Sequence, residues 1–150
     1  MPILSINDQQ IDRIIESLIV IMPVLHRKIL RMDLKGVSGD MTRLHLGIMK
    51  KLNEDDMTVS DLARMSVVQK PQMTHLIDQL VKLDIVERHP DSTDRRVINI
   101  SMTQHGRALH KVMKQKVREA VKKELSGLTP QEFSDMSGAL ETLRSIAAKL

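Results

Sequence analysis

The stretch from residue 61 to residue 103 constrains the fold most, because the spacing of its apolar residues changes along its length. It reads DLARMSVVQKPQMTHLIDQLVKLDIVERHPDSTDRRVINISMT. Its first half has apolar residues at three- and four-residue steps, which predicts two helices separated by a turn at 66–70. Its second half predicts two strands, at 85–88 and 97–102, around a polar tip. A helix-turn-helix followed by a β-hairpin wing is an arrangement that holds double-stranded DNA.

The same periodicity separates buried from exposed faces in the two helices. We expect Leu62, Ala63 and Met65 to point inward from the first helix. In the second, which begins at Pro71, the expected buried residues are Met73, Leu76, Ile77, Leu80 and Leu83, with Gln72, His75 and Gln79 on the opposite side. Gln pairs bidentately with adenine, and Lys binds phosphate or guanine. The predicted DNA contacts of this helix are Lys70, Gln72, Thr74, His75 and Gln79; the alternative is a solvated polar face.

The predicted hairpin tip carries adjacent Arg95 and Arg96 beside Asp94. A guanidinium entering a narrow minor groove meets strong negative potential. Asp94 could hold one of these arginines through a bidentate pair. The alternative is a solvated turn with an exposed ion pair, which contributes little to stability. After a helix-turn-helix we favour DNA contact.

Long amphipathic helices are predicted on both sides of this stretch. The N-terminal one starts near Asn7 or Asp8 and contains Pro23, which should kink it. A loop at 35–40 precedes a helix with the apolar stripe Leu44, Ile48 and Leu52. Capping residues are predicted to start three further helices: Thr58 for the first helix of the helix-turn-helix, then Thr103 and Thr129. The terminal helices have apolar faces and no sheet to cover, so we expect them to pack against a second copy of the chain.

The predicted fold class is therefore mainly α with a small β-hairpin wing (α+β), in one domain spanning 1–150. The winged helix-turn-helix lobe occupies about 41–103. The N- and C-terminal dimerisation helices occupy about 1–35 and 104–150.

Composition limits the binding partners and the cellular location that the chain can have. The net charge of +4 permits an anionic partner without requiring one. The chain has no Cys, which excludes disulfides and thiol switches. One Phe with no Trp or Tyr nearly excludes aromatic stacking on single strands. No apolar run reaches the roughly 18 residues of a membrane helix, and no secretory signal is present, so we expect a cytoplasmic protein.

The sequence lacks the residue patterns of common catalytic and metal-binding sites. His105 and His110 lie five residues apart, whereas a shared helical face needs three or four. There is no Gly-rich phosphate loop, and nothing places a Ser beside a His and an acid. We expect no enzymatic activity, no metal site and no cofactor.

These residues together make the chain resemble the MarR family of winged-helix transcription regulators. The resemblance lies in SDLARMS, KPQMTHLIDQLVKLDIVER, the tip Asp94-x-Arg96, and Met102-Thr103-x-x-Gly106, where Met102 replaces the usual Leu. Order and length of the flanking helices agree too. The start of the helix at Pro71 and Asp78-Gln79-Leu80 are most similar to the SlyA-like branch.

The resemblance implies a homodimer that binds a pseudo-palindromic operator, commonly as a repressor, with Arg96 in the minor groove and Asp94 supporting it. His75 stands where many relatives carry Arg, which puts a guanine contact there in question. Relatives often bind a small lipophilic or aromatic anion that releases DNA. Its expected lining here is Met22, His26, Met41, His45 and Met49, and plain core packing is the alternative for each.

Two other functions fit the same pattern. A winged-helix dimer can bind protein instead of specific DNA, since fold alone does not define function. A small-molecule-binding or enzymatic protein with incidental basic charge would bind a ligand and show no preference for duplex DNA. Salt dependence distinguishes them, because several phosphate contacts make affinity fall steeply with salt.

Overall fold

The computed structural model describes residues 7–30 and 41–150. These residues form two compact units, a central one within 41–116 and a terminal one built from 7–30 and 117–150. The elements in chain order are α1 (Asp8–Leu25) with a π-helical turn (His26–Leu30), α2 (Arg43–Glu54), β1 (Met57–Thr58), α3 (Val59–Ser66), α4 (Lys70–Lys82), β2 (Val86–Pro90), β3 (Ile98–Met102), α5 (Gln104–Glu124) and α6 (Pro130–Ala147). The predicted loop at 35–40 lies outside the described residues.

The central unit confirms the predicted winged helix-turn-helix. Helices α2, α3 and α4 pack together beside an antiparallel sheet of strand order β1-β3-β2. The wing hairpin pairs Val86 with Met102 and Pro90 with Ile98. Strand β1 is an addition to the prediction, pairing Met57 with Ile100. It has only two residues, too few for an alternating pattern to show in a sequence.

The core of this unit is built from the apolar faces of its helices and the inner residues of the sheet. Its most completely buried side chains are Ile48, Met49, Leu52, Leu62, Met73, Ile77, Leu80, Ile85, Val86, Ile100 and Met113. The predicted buried face of α4 is confirmed except at Leu83, which is exposed. Leu83 follows the last helical residue, where the backbone has left the helix, so it does not continue the stripe.

Two other burial predictions were wrong. Met65 is 53% exposed, because Leu62 and Ala63 centre the buried face of α3 and Met65 lies about 110° round the axis from that centre. Leu44, expected in the apolar stripe of α2, is 40% exposed in the first turn of that helix.

The predicted helix starts are confirmed by their caps. Asn7 accepts a hydrogen bond from the backbone N–H of Gln9 at 3.0 Å. Thr58, Thr103 and Thr129 each accept one from the backbone three residues on. Each bond satisfies a donor that has no partner inside the helix. At Pro23 the chain stays helical to Leu25 and then widens into the π-helical turn.

The turn between α3 and α4 places a β-branched residue in left-handed backbone. Val67 has φ 54° and ψ 45° and ends α3 as its C-cap. Its N–H donates to the Arg64 carbonyl, and the N–H of Val68 donates to the Ala63 carbonyl. The left-handed region brings Cβ close to the following carbonyl, at a cost of roughly 1–2 kcal/mol. The Val67 side chain is 95% exposed, so burial does not offset this strain.

We therefore expect Val67→Gly to raise the free energy of unfolding by about 1 kcal/mol, since glycine adopts this conformation without strain. Urea denaturation followed by circular dichroism measures the change. Val112→Gly, at an exposed position within α5, is the control and should lower stability instead. Equal destabilisation by both changes would contradict the proposed strain.

The terminal unit leaves large apolar side chains uncovered. No residue of α1 is buried. Its exposed apolar residues are Ile11, Ile14, Ile15, Leu18, Ile19, Val20, Ile21, Met22 and Val24, and those of α6 are Phe133, Leu140, Leu143 and Ile146. Apolar patches of this kind on a chain mark surfaces that pack against something else. Among the described residues, no helix combines the length and apolar character needed to cross a membrane.

Candidate nucleic-acid interface

Helix α4 starts with its N-terminus open to solvent. Gln69 precedes it in extended backbone, and Pro71 occupies the first turn, where its missing N–H costs nothing. Met73, Ile77 and Leu80 hold the opposite face in the core. The orientation of the exposed face is therefore determined by buried contacts along the whole helix.

Four of the five predicted contact residues on α4 are exposed: Lys70, Gln72, Thr74 and His75. The Thr74 hydroxyl donates to the Lys70 carbonyl at 3.0 Å. Its proton is thereby used within the helix, and Thr74 offers a binding partner only acceptor lone pairs and a methyl group. The other three side chains present donors to solvent.

Gln79 differs from the prediction, which placed it on the exposed side with Gln72 and His75. It is half-buried, and its Oε1 lies 2.9 Å from Nε2 of the buried His45 on α2. The face assignment was wrong because α2 packs across this part of α4. A contact between residues 34 positions apart leaves no trace in helical periodicity.

The wing tip is organised by a residue that sequence reasoning missed. The Asp91 carboxylate accepts from the backbone N–H groups of Asp94 at 3.1 Å and Thr93 at 3.0 Å, and from the Asn99 amide at 2.8 Å. These hydrogen bonds hold the pKa of Asp91 below its ordinary value, and the bond from the Asp94 N–H has the largest effect. The Asp-Ser-Thr-Asp order was a usable signal, since Asp commonly closes such turns with its side chain.

Asp94 supports Arg96 through the backbone. Its Oδ1 accepts from the Arg96 N–H at 3.0 Å, so the predicted bidentate pair with a guanidinium is replaced by a main-chain contact. Arg95 and Arg96 are both exposed. No ion pair formed within 7–30 and 41–150 includes either of them. The tip therefore presents two guanidinium groups on an ordered backbone.

An ion pair and a histidine–carboxylate contact link strand β2 to other parts of the central unit. Arg88 on β2 lies 2.6 Å from Asp78 on α4, and His89 lies 3.3 Å from Asp56, just before β1. Each pair is partly exposed and contributes little to stability by itself. The Arg88–Asp78 pair joins strand β2 directly to helix α4. Sequence reasoning missed both, because their partners are distant in the chain.

The residues expected to line a ligand cleft lie in both units. Met41, His45 and Met49 are buried in the central unit, and Met22 and His26 are exposed in the terminal unit. The burial of Met41, His45 and Met49 is what plain core packing, the alternative to ligand binding, predicts. Their role in ligand binding stays a prediction. Over 7–30 and 41–150, no group of three or more His and acidic side chains is placed to hold a metal ion.

His45 is a buried polar residue at the start of α2. The Thr42 backbone N–H donates to its Nδ1 at 2.9 Å, and Nε2 faces Gln79. Burial is the main cause that lowers its pKa from 6.5; the positive charge of nearby His75 acts in the same direction, and the Gln79 hydrogen bond opposes both. The folded state therefore favours neutral His45.

This shift predicts a loss of stability in acid. The unfolded chain binds a proton at His45 more readily than the folded chain, so stability is unaffected well above pH 6.5 and declines as pH falls below it. Urea midpoints of wild type and His45→Asn, measured from about pH 8 to about pH 5, should converge towards the acid end. Parallel curves for the two proteins would contradict the assignment to His45.

Three packed helices and a small antiparallel sheet with a hairpin wing define the winged-helix class of proteins. The sequence model of the MarR family matches residues 42–98, which run from the N-cap of α2 to the start of β3. This match lies within the central unit, so the family model and the winged-helix fold concern the same part of the chain.

Solved structures of similar fold cover nearly the whole chain. The transcriptional regulator BldR from Sulfolobus solfataricus has a TM-score of 0.78 at 23% identity, covering 94% of this chain and 99% of that one. A mutant MarR from E. coli complexed with operator DNA has 0.71 at 23%, covering 88% and 96%. FabT from Streptococcus pneumoniae in complex with DNA has 0.67 at 23%, covering 95% and 99%. At these identities the likeness establishes the fold.

Proposed function

We propose that this protein is a sequence-specific regulator that binds double-stranded DNA through α4 and the wing. The observation that carries the proposal is the wing tip beside α4, with two guanidinium groups that form no ion pair among the described residues. Similar structures of MarR and FabT contain DNA, which supports the same partner here.

In the proposed complex, α4 enters the major groove, whose width of about 12 Å admits one helix. Lys70, Gln72, Thr74 and His75 meet the bases and the backbone. Arg96 enters the adjacent minor groove, with Arg95 beside it on the phosphates. The Asp94 carboxylate fixes the Arg96 backbone before DNA arrives, so less conformational freedom is lost on binding.

The proposed active form is a homodimer. The support is the apolar surface of α1 and α6, which the terminal unit leaves exposed. A two-fold dimer would present two α4 helices to successive turns of DNA, roughly 34 Å apart, and so select a pseudo-palindromic operator. Sedimentation at micromolar concentration tests this, since a monomeric mass would contradict it.

We further propose that the protein represses transcription and that a small lipophilic or aromatic anion releases it. The support is the likeness to the MarR family. Release requires the anion to bind the DNA-competent arrangement more weakly than another arrangement, since equal affinity shifts nothing. A cytoplasmic location and membership of the SlyA-like branch are proposed on the same likeness.

Selection from a pool of random duplexes tests the DNA-binding proposal. We expect a two-fold-related motif to be enriched, with half-sites about one helical turn apart. Affinity for that motif should fall steeply with salt, as counterions are released from several phosphates. Failure to enrich any motif, together with no binding at low salt, would replace this proposal with a winged-helix dimer that binds protein.

A further inference from the structure

The His45 ring has a defined tautomer. The backbone N–H of Thr42 donates to Nδ1 at 2.9 Å, so Nδ1 must carry a lone pair. In a neutral imidazole the proton then lies on Nε2. That nitrogen is 2.9 Å from the side-chain oxygen of Gln79, to which it donates. Burial of the ring at 3% exposure keeps water from competing for either bond.

This tautomer orients the Gln79 carboxamide. Its oxygen is turned inward to the buried ring, and the amino group must point away from it. No hydrogen bond among the described residues uses that amino group, and Gln79 is only half-buried. The residue stands one turn after the exposed His75 on α4. Gln79 therefore offers a donor from this part of the helix, while its acceptor is engaged beneath.

We propose that His45 is a positioning residue that makes Gln79 a one-sided donor towards a hydrogen-bond acceptor on DNA. The inference rests on the proposed function. Bidentate pairing with adenine needs the oxygen and the amino group to face the base together. With its oxygen directed at His45, Gln79 donates instead to purine N7, guanine O6 or a phosphate oxygen. It cannot select adenine over guanine.

The test is a double-mutant cycle measured as affinity for the enriched motif. Gln79→Met removes the donor and keeps the length and apolar stem of the side chain. His45→Asn retains an oxygen close to the position of Nδ1, for Thr42, but does not reach Gln79. His45→Gln supplies both an acceptor and an amino group and is the conservative control. Circular dichroism before each titration establishes that every variant is folded.

We expect Gln79→Met to weaken binding roughly 3- to 10-fold, as for the loss of one hydrogen bond. His45→Asn should cause a similar loss in the wild-type background and no further loss in Gln79→Met, since it acts through Gln79. His45→Gln should bind within about twofold of wild type, because it supplies both an acceptor and an amino group in place of the ring. Equal effects of His45→Asn in both backgrounds, or no effect of Gln79→Met, would overturn the proposal.

Repeating the duplex selection with Gln79→Met identifies the acceptor. An unchanged motif with uniformly weaker binding indicates a phosphate oxygen. If the variant loses selectivity at one purine position, the acceptor lies on a base. That acceptor is N7 if wild type allowed both purines there, and O6 if wild type preferred guanine. The proposal is overturned if wild type strictly prefers adenine at one position and Gln79→Met loses that preference, because selecting adenine needs the Gln79 oxygen as well as its amino group. Absence of any wild-type motif would instead contradict the proposed function, so the two failures are distinguishable.

Discussion

Gly106→Ala is expected to destabilise the central unit strongly, by about 3 kcal/mol, because the added methyl group meets backbone that cannot move. A Cβ built on Gly106 lies well inside the contact distance of the Ile85 carbonyl oxygen and 3.0 Å from the carbonyl carbon. The obstacle is main chain at the start of the wing, so no rotamer change relieves it.

The surroundings of that carbonyl prevent a shift. The Thr103 backbone N–H donates to the Ile85 oxygen at 3.0 Å, and the Thr103 hydroxyl lies 3.1 Å from it. The same hydroxyl is 2.6 Å from the Asp84 carbonyl and accepts from the Gly106 N–H at 2.9 Å. Moving the chain away would break this group of bonds and uncap α5.

Thermal unfolding of Gly106→Ala measures the effect, with an expected fall in Tm of roughly 10 °C. Gly47→Ala in α2 is the matched control, since a Cβ at that position has no atom within 4 Å. It should raise stability by roughly 0.5–1 kcal/mol through helix propensity. If both variants unfold like wild type, the close approach of α5 to the wing is not a constraint on this fold.

Arg96→Ala should weaken binding to the selected operator by at least about tenfold, since it removes the proposed minor-groove contact. The Arg96 guanidinium is exposed and its backbone is held by Asp94, so the change should leave folding intact. Titrations at several salt concentrations should also show a shallower salt dependence, by about one counterion per half-site.

Two further variants distinguish a specific contact between Arg96 and DNA from a general effect of net charge. Lys149→Ala removes one positive charge near the end of the chain and should change affinity by less than about twofold. Arg96→Lys keeps the charge but loses the planar guanidinium, so an intermediate affinity is expected. Equal losses for Arg96→Ala and Lys149→Ala would mean that net charge, and not the wing tip, determines the affinity.

Local features of this fold were predictable from sequence because they depend on neighbouring residues. The capping residues Asn7, Thr58, Thr103 and Thr129 mark helix starts, since a hydroxyl or amide oxygen reaches an N–H two or three residues away. The buried face of α4 and the hairpin follow from periods of 3.6 and 2. The exposure of the two arginines at the wing tip was predictable for the same reason, since it depends on neighbouring residues.

Contacts between distant residues were decided by the tertiary structure alone. The burial of Gln79 against His45, the two-residue strand β1, and the Arg88–Asp78 pair join segments whose separation has no periodic signature. The need for glycine at Gly106 also comes from another element, because the Ile85 carbonyl fills the space of a side chain. Sequence periodicity determines which face of an element is apolar; only packing determines which groups that face meets.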